Sequence, residues 1–261
     1  MSDAPRELAI VGPGLIGASI ALAAKRRWPE MRITTVDKGQ SLSAIGHASI
    51  VVLAMPIDVI LDTIPRLASL IAQDALVMDT GSTKRAVMEA AAQAHVPHFV
   101  GGHPMAGGTS SADARSDLFD AAPWFLTGRD APDDLARAKA FVEALGAHPI
   151  VLDDHGEQHD RLMAAVSHLP QVTASALMAV VSRAVDPDGL QLAGRGLRDT
   201  TRLAASPSAT WESILATNSP ELKPLLKALA SELSALADRL DDTSAVRRLF
   251  DEANRARSSL Q

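Results

Sequence analysis

Residues 7–17 read ELAIVGPGLIG, a short apolar run that stops at Gly12, Gly14 and Gly17 in G-x-G-x-x-G spacing. Helical sequence follows (ASIALAAKRR, 18–27), then a second run, Arg32 to Val36, that ends in Asp37 and Lys38. A G-x-G-x-x-G alone also suits an ordinary tight turn. Placed between a strand and a helix, with an acidic residue twenty positions after Gly17, it is the dinucleotide-binding fingerprint. Gly12, Gly14, Leu15, Ile16 and Gly17 are therefore candidate cofactor residues. The glycines permit the turn and the close approach of a pyrophosphate, whose charge meets unpaired N–H groups at the start of the helix. Asp37 is placed to accept hydrogen bonds from the adenosine ribose hydroxyls, which favours NAD over NADP. Lys38 is the one neighbouring cation that would soften repulsion of a 2′-phosphate.

The alternation continues through SIVVLA (49–54), a helix from Asp58, ALVMD (75–79), a helix from Thr83, and a strand at 98–100. Apolar runs separated by helices imply a parallel sheet covered on both faces, with ligands bound outside the carboxyl ends of the strands. Three loops leave those ends: Met55-Pro56, the segment 80–84 (TGSTK) with Gly81 and Ser82, and VGGHPMAGG (100–108). In isolation the last of these reads as a glycine-rich turn. On the cofactor side of a sheet, His103 becomes a candidate chemical group. Trp124 to Thr127, a helix near 133–145, and Ala147 to Leu152 extend the sheet.

From about Asp153 strand signals vanish, and Ala/Leu-rich helices are expected at 159–184, 190–204, 210–217, 220–240 and from Ser244. The expected fold class is thus α/β, a Rossmann-like dinucleotide-binding domain (1–152), followed by an all-α domain (153–261) that buries itself against a second copy as a homodimer. Arg195, Arg198 and Arg202 are spaced to share one helical face, as a solvated stripe or as a binder of carboxylates. His168, in AVSHLPQV, reads as a core histidine or a functional one, with Pro170 expected to kink its helix. His155 and His159 stand four apart near Glu157 and Asp160, but no third ligand is suggested and no metal is expected.

Composition narrows the classes. The chain has 261 residues, a net charge of −6, no cysteine and no tyrosine. Disulfides, thiolate chemistry and a tyrosine acid are excluded, and no basic stripe for nucleic acid is present. No apolar run approaches the roughly 18 residues needed to cross a membrane, and the start of the chain lacks a signal-peptide layout. The cytoplasm is the expected compartment.

Taken together, GPGLIG (12–17), DTGSTK (79–84), GGHPMAG (101–107), SHLP (167–170) and RDTTR (198–202) resemble the prephenate/arogenate dehydrogenase family of tyrosine biosynthesis, over nearly the whole chain. The resemblance implies an NAD-dependent oxidative decarboxylation. Hydride leaves C4 of a cyclohexadienol for nicotinamide, the C4 hydroxyl becomes a carbonyl, and the ring carboxylate departs as CO2 with aromatisation. It puts His103 on the substrate hydroxyl as proton acceptor with Ser82 beside it. It puts Arg202, helped by Arg198, on a substrate carboxylate, and His168 and Trp211 in the pocket wall. Thr109 and Gln171 stand where many relatives have an acidic residue and a second histidine, and where the ring side chain would be read. Prephenate is the implied substrate, with arogenate and a 4-amino analogue as the other members of that class. No regulatory domain follows the helices, which implies a single-function version. The competing readings are a β-hydroxyacid dehydrogenase, whose acid/base lysine is missing from residues 159–184, and a non-catalytic NAD-sensing protein on the same fold.

Overall fold

The structure is a computed structural model that describes residues 5–107, 111–128, 131–152 and 154–259. Its first half is a seven-stranded sheet: β1 (Glu7–Val11), β2 (Arg32–Val36), β3 (Ile50–Leu53), β4 (Leu76–Asp79), β5 (Phe99–Pro104), β6 (Pro123–Gly128) and β7 (His148–Val151), in the order β2-β1-β3-β4-β5-β6-β7. Strands β1 to β5 are parallel, while β6 runs antiparallel to β5 with His103 opposite Phe125. Among the described residues between these strands there is a 3-10 turn, Ser111–Asp113, and not the crossover helix that a parallel pair needs.

Alternate residues of the central strands enter different cores. Leu8, Ile10, Val52 and Met78 pack beneath α1 (Leu15–Arg27) and, with Leu126, meet α4 (Pro132–Ala144). Ala9, Val11, Val51, Leu53 and Val77 pack against α2 (Ile57–Thr63) and α3 (Arg85–Gln93). A sheet covered on both faces requires such continuous apolar runs. The first turn is constrained by space: Gly12 has φ +92°, and a Cβ there would lie 2.6 Å from the Ala54 carbonyl oxygen. A Cβ on Gly17 would lie 2.2 Å from the Gly12 carbonyl oxygen. Gly14, by contrast, faces open space.

The second half is helical: α5 (Glu157–Met163), α6 (Leu169–Ala184), α7 (Pro187–Gln191), α8 (Arg195–Thr200), α9 (Ser208–Thr217), α10 (Ser219–Ala237) and α11 (Thr243–Arg257). A π turn, Ala164–His168, joins α5 to α6, so Glu157–Ala184 is one continuous helix of 28 residues. Pro170 lies inside this continuous helix, within the first turn of α6. The widened turn lies just before it, where proline would otherwise clash with the preceding turn. By length and composition this helix is apolar enough to cross a membrane, which the shorter apolar runs had not indicated, and most of its apolar window is uncovered within one chain.

The helix expected over 190–204 is broken into α7, α8 and a 3-10 turn, Arg202–Ala205. Gly194 begins α8 in an extended conformation. At its other end, the hydroxyls of Thr200 and Thr201 donate to the carbonyls of Gly196 and Leu197. Arg202 thus lies outside the helix that carries Arg195 and Arg198, and the single three-arginine face is not formed.

The halves meet closely at residues 154–160. His155 (φ 56°) and Gly156 (φ 94°) are both left-handed, and a Cβ on Gly156 would lie 2.6 Å from Lys84 Cβ and 2.8 Å from the Arg85 nitrogen. Gly156→Ala is expected to destabilise the protein by about 1–3 kcal/mol, from backbone strain and overpacking. A urea unfolding midpoint equal to that of the unsubstituted chain would contradict this.

Candidate active site

The carboxyl ends of β1, β3 and β4 open onto a cleft of about 430 Å³. Gly14, Leu15 and Ile16 line it from the first turn, Met55 and Pro56 from the loop after β3, and Gly81 and Ser82 from the loop after β4. These are cofactor and catalytic candidates from the sequence, brought to one place. Helix α1 has no side-chain cap, and its first intrahelical bond is Ala18 N–H to the Gly14 carbonyl, so the preceding N–H groups face the cleft mouth unpaired within the helix. The opposite wall is formed by Ala209, Thr210, Ser213 and Ile214 of α9, the helix that carries Trp211; these four were not indicated by the sequence.

Asp37 ends β2 on the surface and accepts a hydrogen bond from the Lys38 N–H at 2.7 Å. It does not cap the next helical turn, because Ser41 performs that function. Its carboxylate is therefore available at the strand end where the fingerprint requires one.

A buried polar network lies beneath the loops. Asp79, fully buried, accepts from the N–H groups of Gly81 (2.8 Å) and Gly102 (3.1 Å), and from the ammonium of Lys84. That ammonium also donates to the Gly102 carbonyl at 2.7 Å, so a buried ion pair holds the strand that carries His103. Gly102 has no room for a side chain: a Cβ would lie 2.5 Å from the Asp79 carbonyl oxygen.

His103 Nδ1 lies 2.9 Å from His159 Nε2, and His159 Nδ1 lies 2.8 Å from Asp160 Oδ1. The Asp160 carboxylate also accepts from the N–H groups of Lys84 (2.7 Å) and Arg85 (3.0 Å), capping α3 from the helical half. Asn218 donates to the Asp160 carbonyl (2.7 Å) and to His168 Nδ1 (3.0 Å). His168 meets the Trp211 ring edge to face at 5.8 Å. His159, Asp160, Lys84, Asp79 and Asn218 carry this network, yet the sequence pointed to none of them as partners of His103. His159 and Asp160 entered only as weak zinc candidates. Both His159 nitrogens are bonded within the protein, while His155 lines a separate small cavity with Arg85 and Glu157.

Desolvation, reinforced by His159, Lys84 and His168, pushes His103 well below the ordinary histidine pKa. Burial also lowers His159, against the opposing effect of its hydrogen bond to Asp160. His168 is pushed down to about 4, first by burial and then by His159, with Asp160 opposing. Burial raises the pKa of Asp160, but hydrogen bonds from His159 and the Lys84 and Arg85 N–H groups hold it below the usual carboxylate value. The histidines are neutral at physiological pH and the carboxylate is charged.

The remaining candidates lie further out. Gln171 is buried and both ends of its amide are engaged: it donates to the Leu203 carbonyl at 2.8 Å and accepts from the Ser206 hydroxyl at 3.4 Å. It therefore holds the 3-10 turn that carries Arg202 against α6. Gln171 and Trp211 also border a cavity of about 310 Å³ with Ser175 and Ser206. Arg198 and Arg202 are exposed, and Arg198 donates to the Ala193 carbonyl at 3.2 Å. Thr109 lies outside the described residues.

Two family models match the chain in order: the prephenate dehydrogenase nucleotide-binding domain over residues 17–151, and the prephenate dehydrogenase dimerization domain over 155–251. The chain is 30% identical to a prephenate dehydrogenase of Lactococcus lactis over 98% of this chain and 78% of the relative. It is 32% identical to one of Bacillus subtilis over 85% and 67%. Among solved structures, Synechocystis arogenate dehydrogenase superposes with a TM-score of 0.82 at 29% identity, covering 98% of this chain and all of that one. A prephenate dehydrogenase from A. aeolicus, bound to hydroxyphenyl propionate and NAD+, shares the fold with a TM-score of 0.89 at 23% identity, with both chains fully covered.

The depressed histidines make stability sensitive to acid. Above an unfolded-state pKa of about 6.5, neither state binds a proton at His168. As pH falls from there toward the folded value of about 4, the unfolded chain takes up a proton that the folded chain refuses, so stability is lost across that window. The His168 contribution is on the order of 3 kcal/mol at its lower end. His168→Gln is expected to flatten the fall in melting temperature between pH 7 and 4.5, leaving the part due to His103 and His159. Parallel pH profiles for the two proteins would contradict this origin.

Proposed function

Because the chain belongs to the prephenate dehydrogenase family, we propose that it converts prephenate to 4-hydroxyphenylpyruvate and CO2 with NAD, in tyrosine biosynthesis, arogenate being the alternative substrate of the same site. The observation that carries this reading is His103, a histidine kept neutral by burial at the carboxyl end of β5, on the cofactor side of the sheet. A neutral imidazole accepts the proton of a substrate hydroxyl as that carbon is oxidised. Ser82, in the cleft wall, polarises the same hydroxyl.

NAD, when bound, supplies the hydride acceptor. Gly12, Gly14 and Gly17 leave room for its pyrophosphate at the start of α1, Asp37 receives the adenosine ribose, and Met55, Pro56 and Gly81 line the cleft. Prephenate carries two carboxylates. Arg202, with Arg198 nearby, takes one of them through its forked guanidinium. The neutral ring of His168 against Trp211 forms a wall that admits the cyclohexadienyl ring without adding charge. Gln171 acts through the turn it holds, positioning Arg202.

The chain pairs with a second copy through its helical half. Val166 and Val180 on the long helix Glu157–Ala184 are each 56% exposed in one chain. A partner's matching surface removes them from water, at about 25 cal/mol per Å² of apolar area covered.

His103→Asn is expected to lower turnover by about 10²–10⁴-fold while leaving NAD affinity unchanged, since the side chain lies away from the pyrophosphate turn. NAD reduction followed at 340 nm with prephenate and then arogenate, together with a titration of cofactor binding, tests this. Near-normal turnover would overturn the assignment. Arg202→Ala is expected to raise KM about 10- to 100-fold, with Arg202→Lys recovering only part of the loss. An unaltered KM would mean that Arg202 is merely solvated.

A further inference from the structure

We propose that His159 and Asp160 are positioning residues that fix the tautomer of His103, leaving its Nε2 as the proton acceptor. This rests on the catalytic reading of His103 given above and adds two residues to it.

The direction of each hydrogen bond follows from Asp160. Its carboxylate receives the N–H groups of Lys84 and Arg85, at 2.7 and 3.0 Å, and an ionised carboxylate has only acceptor sites. The His159 Nδ1 at 2.8 Å from Oδ1 must therefore carry a proton. In a neutral imidazole the other nitrogen is then an acceptor. His159 Nε2 presents its lone pair to His103 Nδ1 at 2.9 Å, so His103 donates its Nδ1–H there. The lone pair of His103 falls on Nε2. When the substrate hydroxyl gives up its proton, that proton goes to Nε2, and the resulting imidazolium keeps its Nδ1–H on His159. A neutral histidine in water prefers no such arrangement by itself; the partner of the other nitrogen sets it.

The geometry also restrains rotation. His159 is fully buried and its ring meets Phe125 edge to face at 5.6 Å, while Phe125 lies opposite His103 in the strand pairing. The carboxylate that begins the chain of bonds is held by the start of α3, across the boundary between the two halves. His103 is therefore aligned only when the halves are docked.

The test is the protonation pattern of His103 in the whole protein, read by long-range ¹⁵N–¹H NMR on histidine-labelled material at pH 8. Its signals are assigned by their loss in His103→Asn. The expected result is the Nδ1–H form in the unsubstituted protein and loss of that preference in His159→Phe. With prephenate and NAD, His159→Phe is expected to lower kcat about 10- to 100-fold with KM changed less than about twofold, since only the proton-accepting step is affected. His159→Gln, whose side-chain oxygen still accepts from Nδ1–H, is expected to recover most of that kcat and to retain the tautomer. An Nε2–H form of His103 in the unsubstituted protein would overturn the proposal, as would equal kcat losses in the Phe and Gln variants when only the latter keeps the Nδ1–H form. The NMR result needs no substrate. An Nδ1–H His103 in a protein that does not oxidise prephenate would defeat the proposed function and leave the positioning role standing.

Discussion

The carboxylate of Asp160 is the point on which the two halves of this protein depend. It is fully buried, and a buried charge is tolerated only when its acceptor sites are filled. Three donors fill them: two N–H groups at the start of α3 and the ring of His159. Helix α3 has no side-chain cap of its own, so a residue 75 positions away satisfies the amides that every helix leaves unpaired at that end. The favourable end of the helix dipole adds to the attraction. Weaker links surround this contact, with Thr83 and Thr217 hydroxyls 2.8 Å apart and Arg85 meeting Glu221 at 3.4 Å.

Charge is distributed unevenly around that point. Lys84, Asp79 and Asp160 are buried, with Lys84 and Asp79 in an ion pair, whereas His103, His159 and His168 are held neutral. Burial disfavours charge on each of these groups. Burial lowers the pKa of Lys84, opposed by Asp79, and its side chain also donates to the Gly102 carbonyl. The histidines lack a sufficient counter-charge, and the nearby ammonium further disfavours a second cation beside it. On the catalytic reading proposed for His103, this separation leaves the accepting ring empty before the reaction begins. The same arrangement makes the protein sensitive to acid.

Much of this was legible in local sequence. The G-x-G-x-x-G turn with Asp37, the alternation of apolar runs and helices, and the loops at the strand ends identified the sheet and the cleft. Each depends on short-range physics, in turn sterics, side-chain periodicity and the unpaired amides of a helix start. Elsewhere local patterns misled. Three arginines at helical spacing implied one face, but α8 ends at Thr200, where the hydroxyls of Thr200 and Thr201 bond back to the helix, and Arg202 lies on a separate 3-10 turn. Gln171, which the resemblance placed near the ring side chain, holds the Arg202 turn through its amide, a contact that no local pattern indicates.

By itself, then, the sequence determined the class of fold, the cofactor turn and His103 as a chemical candidate, because those depend on residues within a few positions of one another. It could not show what stands behind His103. His159 lies 56 positions downstream and Asp160 touches α3 across 75 and 76 positions, contacts that have no periodicity and no fixed spacing. They arise only when the helical half closes on the sheet and excludes water. The burial that results also sets the protonation states of the histidines, since desolvation is a property of the packed volume around a group and not of its neighbours in the chain.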